Sequence, residues 1–165
     1  MAGILKQINR SNGGLPKLAV AGPVMLTDTS VEGDRCRNTW LHGGPRQAVL
    51  MASAEVIDTL AGQGFPLFYG AIGENLTVSG LDHHMWRAGQ RYKVGLGALI
   101  ELTKLRKPCA NLDHLGPIQK ELYDPQCNAG DITSPHWAHG GFYARIIRPG
   151  LIQAGDAVIL DSDVA

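Results

Sequence analysis

Turn residues interrupt this chain so often that a long helical bundle cannot be drawn through it. Glycine occurs 21 times and proline 9 times, and the apolar runs between them are mostly short. Glycine opens positive-φ turn conformations and proline withdraws a backbone donor, so both end regular elements. Many short strands joined by turns suit that spacing, and the fold class read from it is mainly β. Residues 98–103 (ALIELT) set Ile100 and Leu102 on one face and Glu101 and Thr103 on the other, the period of a half-buried strand. Residues 142–147 (FYARII) run into Pro149-Gly150, and residues 157–160 (AVIL) follow Gly155-Asp156, which predicts two more strands. Residues 17–20, 47–51 and 75–78 are shorter candidates that need neighbours to be stable.

Two helices are expected to pack over the sheet or barrel. Ser53 can cap one in which Val56, Ile57 and Leu60 share a face, with Gly62 and Gly64 as stop signals. A second begins near Gly116-Pro117, with Ile118 and Leu122 on its apolar face. Residues 124–139 are rich in turn formers and read as a mobile loop beside the site.

The 165 residues fit one domain, 1–165, with an ordinary core. Fifteen basic and fifteen acidic residues cancel, so the basic footprint of a general nucleic-acid binder is missing, while a nucleobase as a small molecule stays open. Three cysteines, Cys36, Cys109 and Cys127, show no short pair spacing, and no apolar stretch follows Met1-Ala2-Gly3. A reducing cytoplasm is the expected location. No apolar run approaches the roughly 20 residues of a membrane-spanning helix, so no membrane association is expected.

Chemistry concentrates at residues 105–112, LRKPCANL. Cys109 follows a predicted strand, two cations and a proline that holds Lys107 extended. Cations favour thiolate over thiol, the form that attacks electrophiles or binds a soft metal. Arg106 offers a planar fork for a phosphate or other oxyanion. The competing reading is a small buried thiol beside two solvated cations. A second cluster is His42-Gly43-Gly44-Pro45-Arg46, where two glycines let backbone N–H groups approach an oxyanion and His42 can move a proton near neutral pH. Taken alone, it reads more readily as a turn with a hydrogen-bonded histidine. Asp34, Glu74 and Asn75 stand in turns where they can satisfy backbone donors. His136 and His139, and the adjacent His83 and His84, lack cysteine partners at structural-zinc spacing, and no separate zinc site is expected. Trp40, Trp86 and Trp137 read as packing residues, with Trp137 the alternative pocket-lining one.

Taken in order, EGDR at 32–35, HGGPRQAV at 42–49, GENLTVSGL at 73–81, RKPC at 106–109 and GGFYARI at 140–146 form a far more specific set than any one of them. The chain resembles the MOSC family, the domain named after the C-terminal part of molybdenum-cofactor sulfurases, from Gln7 to Asp156. The resemblance implies a closed β-barrel with a few peripheral helices and a molybdenum cofactor, a molybdopterin, at one mouth. It places Cys109 at the position that ligates molybdenum or carries sulfur and His42 at the histidine of the HGG motif. Asn9, with Asn12 as its competitor, falls near a polar position seen close to the cofactor in bacterial reductases. Gly43 and Gly44 join the cofactor set, and Arg46, Arg106 and Lys107 are electrostatic choices for the pterin phosphate or molybdenum oxo groups.

The resemblance further implies reduction of N-hydroxylated substrates of the hydroxylaminopurine or amidoxime type, with Cys109 holding the metal and His42 supplying a proton. Neither a flavin motif nor an iron–sulfur cysteine set is present, so electrons are expected from a separate protein. A homodimer is a further expected association. Two alternatives stand beside the reductase: a persulfide on Cys109 that passes sulfur onward, and a molybdopterin carrier without turnover.

Overall fold

The computed structural model describes residues 2–36 and 44–164. In chain order the strands are β1 (Ala2–Arg10), β2 (Leu18–Ala19), β3 (Val24–Leu26), β4 (Val49–Ser53), β5 (Leu76–Ser79), β6 (Arg91–Val94), β7 (Ala98–Leu105), β8 (Phe142–Arg148), β9 (Gly150–Ile152) and β10 (Ala157–Ser162). The helices are α1 (Ala54–Gly62), α2 (Gln119–Leu122) and α3 (Pro125–Asn128). Seven strands run in the order β10-β6-β7-β8-β4-β5-β1, and pairing of β1 with β10 closes the ring. Closure satisfies the outer backbone groups that an open sheet of such short strands would expose. The ring pairs are antiparallel except β4 with β5, which run parallel. A parallel pair needs a crossover, and α1 lies in the connection between these two strands. β2 continues the sheet beside β1, and β3 pairs with β9 as a separate ribbon.

Side chains of Leu5, Ile8, Met51, Val78, Ile100, Leu102, Phe142 and Val158 belong to one core cluster, the barrel interior. A second cluster joins Ala52, Val56, Ile57 and Leu60 to Ile72, Leu112, Ile118 and Leu122, so α1 and the segment after β7 form an outer layer. β4 is buried along its whole length because Met51 faces the first cluster and Ala52 the second.

The predicted strands at 98–103, 142–147 and 157–160 form within β7, β8 and β10. Strand β1 carries no clean alternation to reveal it. Its first buried positions are Gly3 and Leu5, and a register shift between Leu5 and Gln7 then moves burial to Ile8 and Asn9. The helix expected at Ser53 forms as α1, the Ser53 hydroxyl accepting from the Val56 N–H at 3.4 Å. The second expected helix is shorter: a 3₁₀ turn over Ala110–Leu115 precedes a single helical turn at α2.

Residues 124–139 are built into the fold, contrary to the expected loop beside the site. Asp124 collects three donors, from the Cys127 N–H at 2.7 Å, the Ser134 hydroxyl at 2.7 Å and the His136 Nδ1 at 3.0 Å. These contacts hold its carboxyl below the usual carboxylate range and cap α3. Trp137 packs edge-on against Phe142 in the barrel cluster, and its Nε1 donates to the Trp86 carbonyl at 3.0 Å. It does not line the cleft described below, and Trp40 lies outside the described residues. Among the described residues, no helix is long and apolar enough to cross a membrane.

Candidate functional site

Because side chains alternate along a strand, the barrel's outer face presents the residues its core does not use. Leu50 on β4 and Tyr143 on β8 are cross-strand partners, while their neighbours Met51 and Phe142 fill the barrel. Leu50 and Tyr143 form part of the wall of a cleft of about 550 Å³, completed by residues before β4, residues before β5 and the segment after β7. This cleft lies against the outside of the barrel wall; the resemblance had suggested a barrel mouth.

Cys109 reaches the cleft through the way β7 ends. The Arg106 N–H donates to the Gly141 carbonyl at 2.9 Å, and the chain then runs extended through Pro108 into a 3₁₀ turn that begins after Cys109. Arg106 and Pro108 turn inward, Lys107 outward, and Cys109 is half-buried on the cleft wall. Gly141 makes this junction possible: its φ is +87°, and a Cβ would stand 2.5 Å from the Met51 carbonyl oxygen.

Arg106 is 6% exposed. Its Nη2 donates to the Ile72 carbonyl at 2.8 Å and Nη1 to the Gly140 carbonyl at 3.4 Å, tying together the segments that enter β5 and β8. Burial lowers its pKa, opposed by the neighbouring Tyr143, Cys109 and Glu74. Burial likewise raises the Tyr143 phenol, an effect that the Arg106 charge opposes.

Behind the wall runs a polar network. Glu74 Oε1 accepts from the Gly70 N–H at 2.6 Å and the Thr77 hydroxyl at 3.1 Å. Asn75 accepts from the Leu50 N–H at 3.0 Å and donates to the Asn9 carbonyl and to Asp34, which also pairs with Lys17 at 2.6 Å. Asp34, Glu74 and Asn75 thus satisfy donors around turns, and Lys17, Asp34 and Asn75 also border the cleft.

Burial pushes the Glu74 carboxyl up to about 7, opposed by its hydrogen bonds to Gly70 and Thr77 and by the charge on Arg106. Its Oε2 is buried without a hydrogen-bond partner among the described residues. A carboxyl raised on folding contributes stability fully below its unfolded value, and that contribution is lost as pH rises through about 7. Glu74→Gln should therefore gain on the native chain by on the order of 3 kcal/mol between about pH 4 and pH 8. Urea unfolding of both proteins at the two pH values checks this, and parallel pH profiles would refute it.

Of the residues expected at the site, Cys109, Arg106 and Gly44 border one cleft. His42 and Gly43 lie outside the described residues. Arg46, Lys107 and Asn9 do not border the cleft. Arg46 is exposed in the 3₁₀ turn Pro45–Gln47, where successive side chains diverge and Gln47 faces the cleft instead. Lys107 lies opposite Arg106 on the extended segment, 3.5 Å from the Asn128 side chain. Asn9 is fully buried, its amide donating to the Glu74 carbonyl and Thr77 hydroxyl at 3.1 Å and accepting from Gln7 at 2.7 Å. Its competitor Asn12 is exposed and also off the cleft wall. Residue-level reading missed Lys17, Cys36, Gln47, His114 and Tyr143 on this wall. Tyr143 was accessible through the strand alternation of FYARI; the others come from separate loops with no local signal.

The MOSC domain family model matches residues 38–159. The chain is 30% identical over 156 residues to the protein YiiM of Escherichia coli (strain K12), covering 92% of this chain and 65% of that protein. It is 27% identical over 143 residues to a protein named reductase from Gibberella moniliformis, covering 84% of this chain and 24% of that protein. The chain thus spans less than two thirds of the length of these curated relatives. The crystal structure of YiiM from Geobacillus stearothermophilus superposes with a TM-score of 0.72 at 25% identity, over 97% of this chain and 75% of that one. With the closed seven-strand ring and the family match over most of its length, the chain belongs to the MOSC domain family.

Proposed function

We propose that this chain binds a molybdopterin cofactor in the cleft and reduces N-hydroxylated small molecules, of the hydroxylaminopurine or amidoxime type. The observation that carries the reading is a half-buried cysteine, Cys109, on the wall of a cleft of about 550 Å³ beside the buried Arg106 guanidinium. Family membership and the reductase name of one relative support it.

The residues present fit such a group. The buried Gln47 Oε1 lacks a hydrogen-bond partner among the described residues and belongs to a cleft-wall side chain, as expected for an acceptor awaiting a donor on a ligand. Cys109 provides the soft sulfur donor that would hold molybdenum. Arg106 and the exposed Arg35 provide positive charge for phosphate or oxo groups, and Asn75 and Asn111 provide amides. When bound, the cofactor supplies two-electron chemistry, and the protein supplies orientation and electrostatics.

His114 offers a proton route. Its Nδ1 pairs with the Asn111 carbonyl at 2.9 Å, so Nδ1 carries the hydrogen and Nε2 is left to exchange a proton with substrate. His42 is the other candidate for that transfer. Overall the substrate N–OH takes two electrons and two protons and yields N–H and water, with electrons delivered by a separate cytoplasmic protein.

The test is molybdenum and pterin content of the chain purified from a cofactor-synthesising host, followed by turnover of N-hydroxylated bases and amidoximes with a supplied reductant. One equivalent of cofactor and measurable turnover are expected. A cofactor-free, inactive protein from that host would sink the reading and turn attention to persulfide sulfur on Cys109.

A further inference from the structure

The fold assembles a second group of chemistry-bearing side chains away from the cleft. His83 and His84 lie in the 3₁₀ turn His83–Met85 that follows β5, and His139 lies in the approach to β8. Their ring centroids are 4.1 Å apart for His83 and His84, 5.3 Å for His83 and His139, and 6.1 Å for His84 and His139. One ring nitrogen from each lies within 4.8 Å of the others. None of the three borders the cleft that holds Cys109.

The surroundings orient these rings. His139 Nδ1 lies 3.0 Å from the Glu121 carbonyl and His84 Nδ1 lies 3.3 Å from Asp82 Oδ1. Carbonyl and carboxylate oxygens only accept, so Nδ1 carries the hydrogen in both rings and Nε2 is left with its lone pair. Metal-bound histidines are held in the same way, with the second nitrogen donating to a carbonyl or carboxylate. His83 adds a buried Nε2 with no hydrogen-bond partner among the described residues. A buried, unpaired nitrogen costs stability unless something fills its coordination.

We propose that His83, His84 and His139 bind a divalent first-row transition ion of the zinc class through their ring nitrogens, with a fourth position open to water. Tetrahedral zinc–imidazole geometry brings ligand nitrogens to about 3.3 Å from one another, so the cluster must tighten by roughly 1.5 Å. His84 is exposed, so a small adjustment of its side-chain torsions within the present rotamer can supply that movement while Asp82 still holds Nδ1. His136 stands 5.4 Å from His139, but its Nδ1 is engaged by Asp124 and it is outside the ligand set.

Such an ion would brace the turn after β5 against the segment that enters β8. Gly140, next to His139, accepts from Arg106, so the brace would stand one residue from the cation of the cleft. The absence of cysteine partners had argued against zinc at either histidine pair; their convergence depends on tertiary contact.

The experiment is a Co(II) titration of tag-free protein whose accessible thiols have been alkylated, read by visible d–d absorption, with thermal midpoints measured with and without Zn(II). One Co(II) per chain should bind without thiolate charge-transfer absorption. Affinity should fall by at least about 100-fold in His84→Gln and in His139→Gln, and stay unchanged in His136→Gln. Because His84 is exposed, His84→Gln should keep the native midpoint in metal-free buffer and lose the rise that Zn(II) confers on the native chain. Absence of saturable uptake, or uptake unaffected by His84→Gln, would overturn the proposal. A loss in His136→Gln as large as that in His84→Gln would overturn the three-residue set.

Discussion

Cys109→Ser is expected to keep its fold and lose molybdenum. Cys109 occupies the cap position of the 3₁₀ turn Ala110–Leu115 without any side-chain capping bond, so replacing sulfur by oxygen removes no structural contact of that kind. Stability should therefore stay within about 0.5 kcal/mol of the native chain. A neutral hydroxyl is a poor substitute for a thiolate toward a soft metal, and the loss should exceed the roughly 100-fold that outer partners of metal ligands command. Metal and pterin analysis beside a thermal melt separates the two effects. Full cofactor content with full turnover in the variant would remove Cys109 from the metal, and a collapsed melting transition would make it a structural residue.

Arg106→Leu should be the most destabilising single change at the site. Leucine matches the burial but leaves the Ile72 and Gly140 carbonyls without their charged donor and takes a favourable charge from Glu74. Removing one partner from a buried charged network costs about 3–5 kcal/mol, which for a chain of this size lowers the melting midpoint on the order of 10 °C. The loss should appear in protein without cofactor, because the guanidinium's partners, two backbone carbonyls and the Tyr143 side chain, all belong to the protein. Arg106→Lys should recover only part of it, since an ammonium cannot reproduce a planar fork reaching two segments at once. A midpoint within about 2 °C of the native value would show that the guanidinium's bonds are dispensable and leave only its charge toward a ligand.

How legible each element was follows from where its contacts lie. β7 was visible because apolar and polar residues alternate along it, and β8 and β10 because short apolar runs meet turn residues at their ends. α1 was visible because Ser53 caps it and its apolar residues recur at helical spacing. β1 was hidden by a buried glycine and a register shift that breaks the period of two. Residues 124–139 looked like a bare loop because Asp124 meets its partners through side-chain hydrogen bonds that composition does not reveal.

The same division runs through the site. Cys109 and Arg106 were legible because a thiol behind cations and a proline carries its chemistry within a few residues. Lys107 looked equivalent to Arg106 in sequence, yet an extended backbone sends adjacent side chains to opposite sides, so one is buried and the other solvated. Gln47, His114 and Tyr143 reach the cleft from three separate segments, which only strand register and loop closure bring together.

By itself, the sequence determined a mainly β chain, the helix behind Ser53, the position of Cys109 behind a strand, two cations and a proline, and the ordered motifs that carry the family resemblance, because each depends on neighbouring residues or a short period. The tertiary structure alone decided that the cleft lies outside the barrel wall, that Asn9 supports a turn behind it, and that His139 converges on the His83–His84 pair. Those features depend on non-local packing: burying the apolar faces of all seven strands at once sets the register, and the register decides which polar side chains meet.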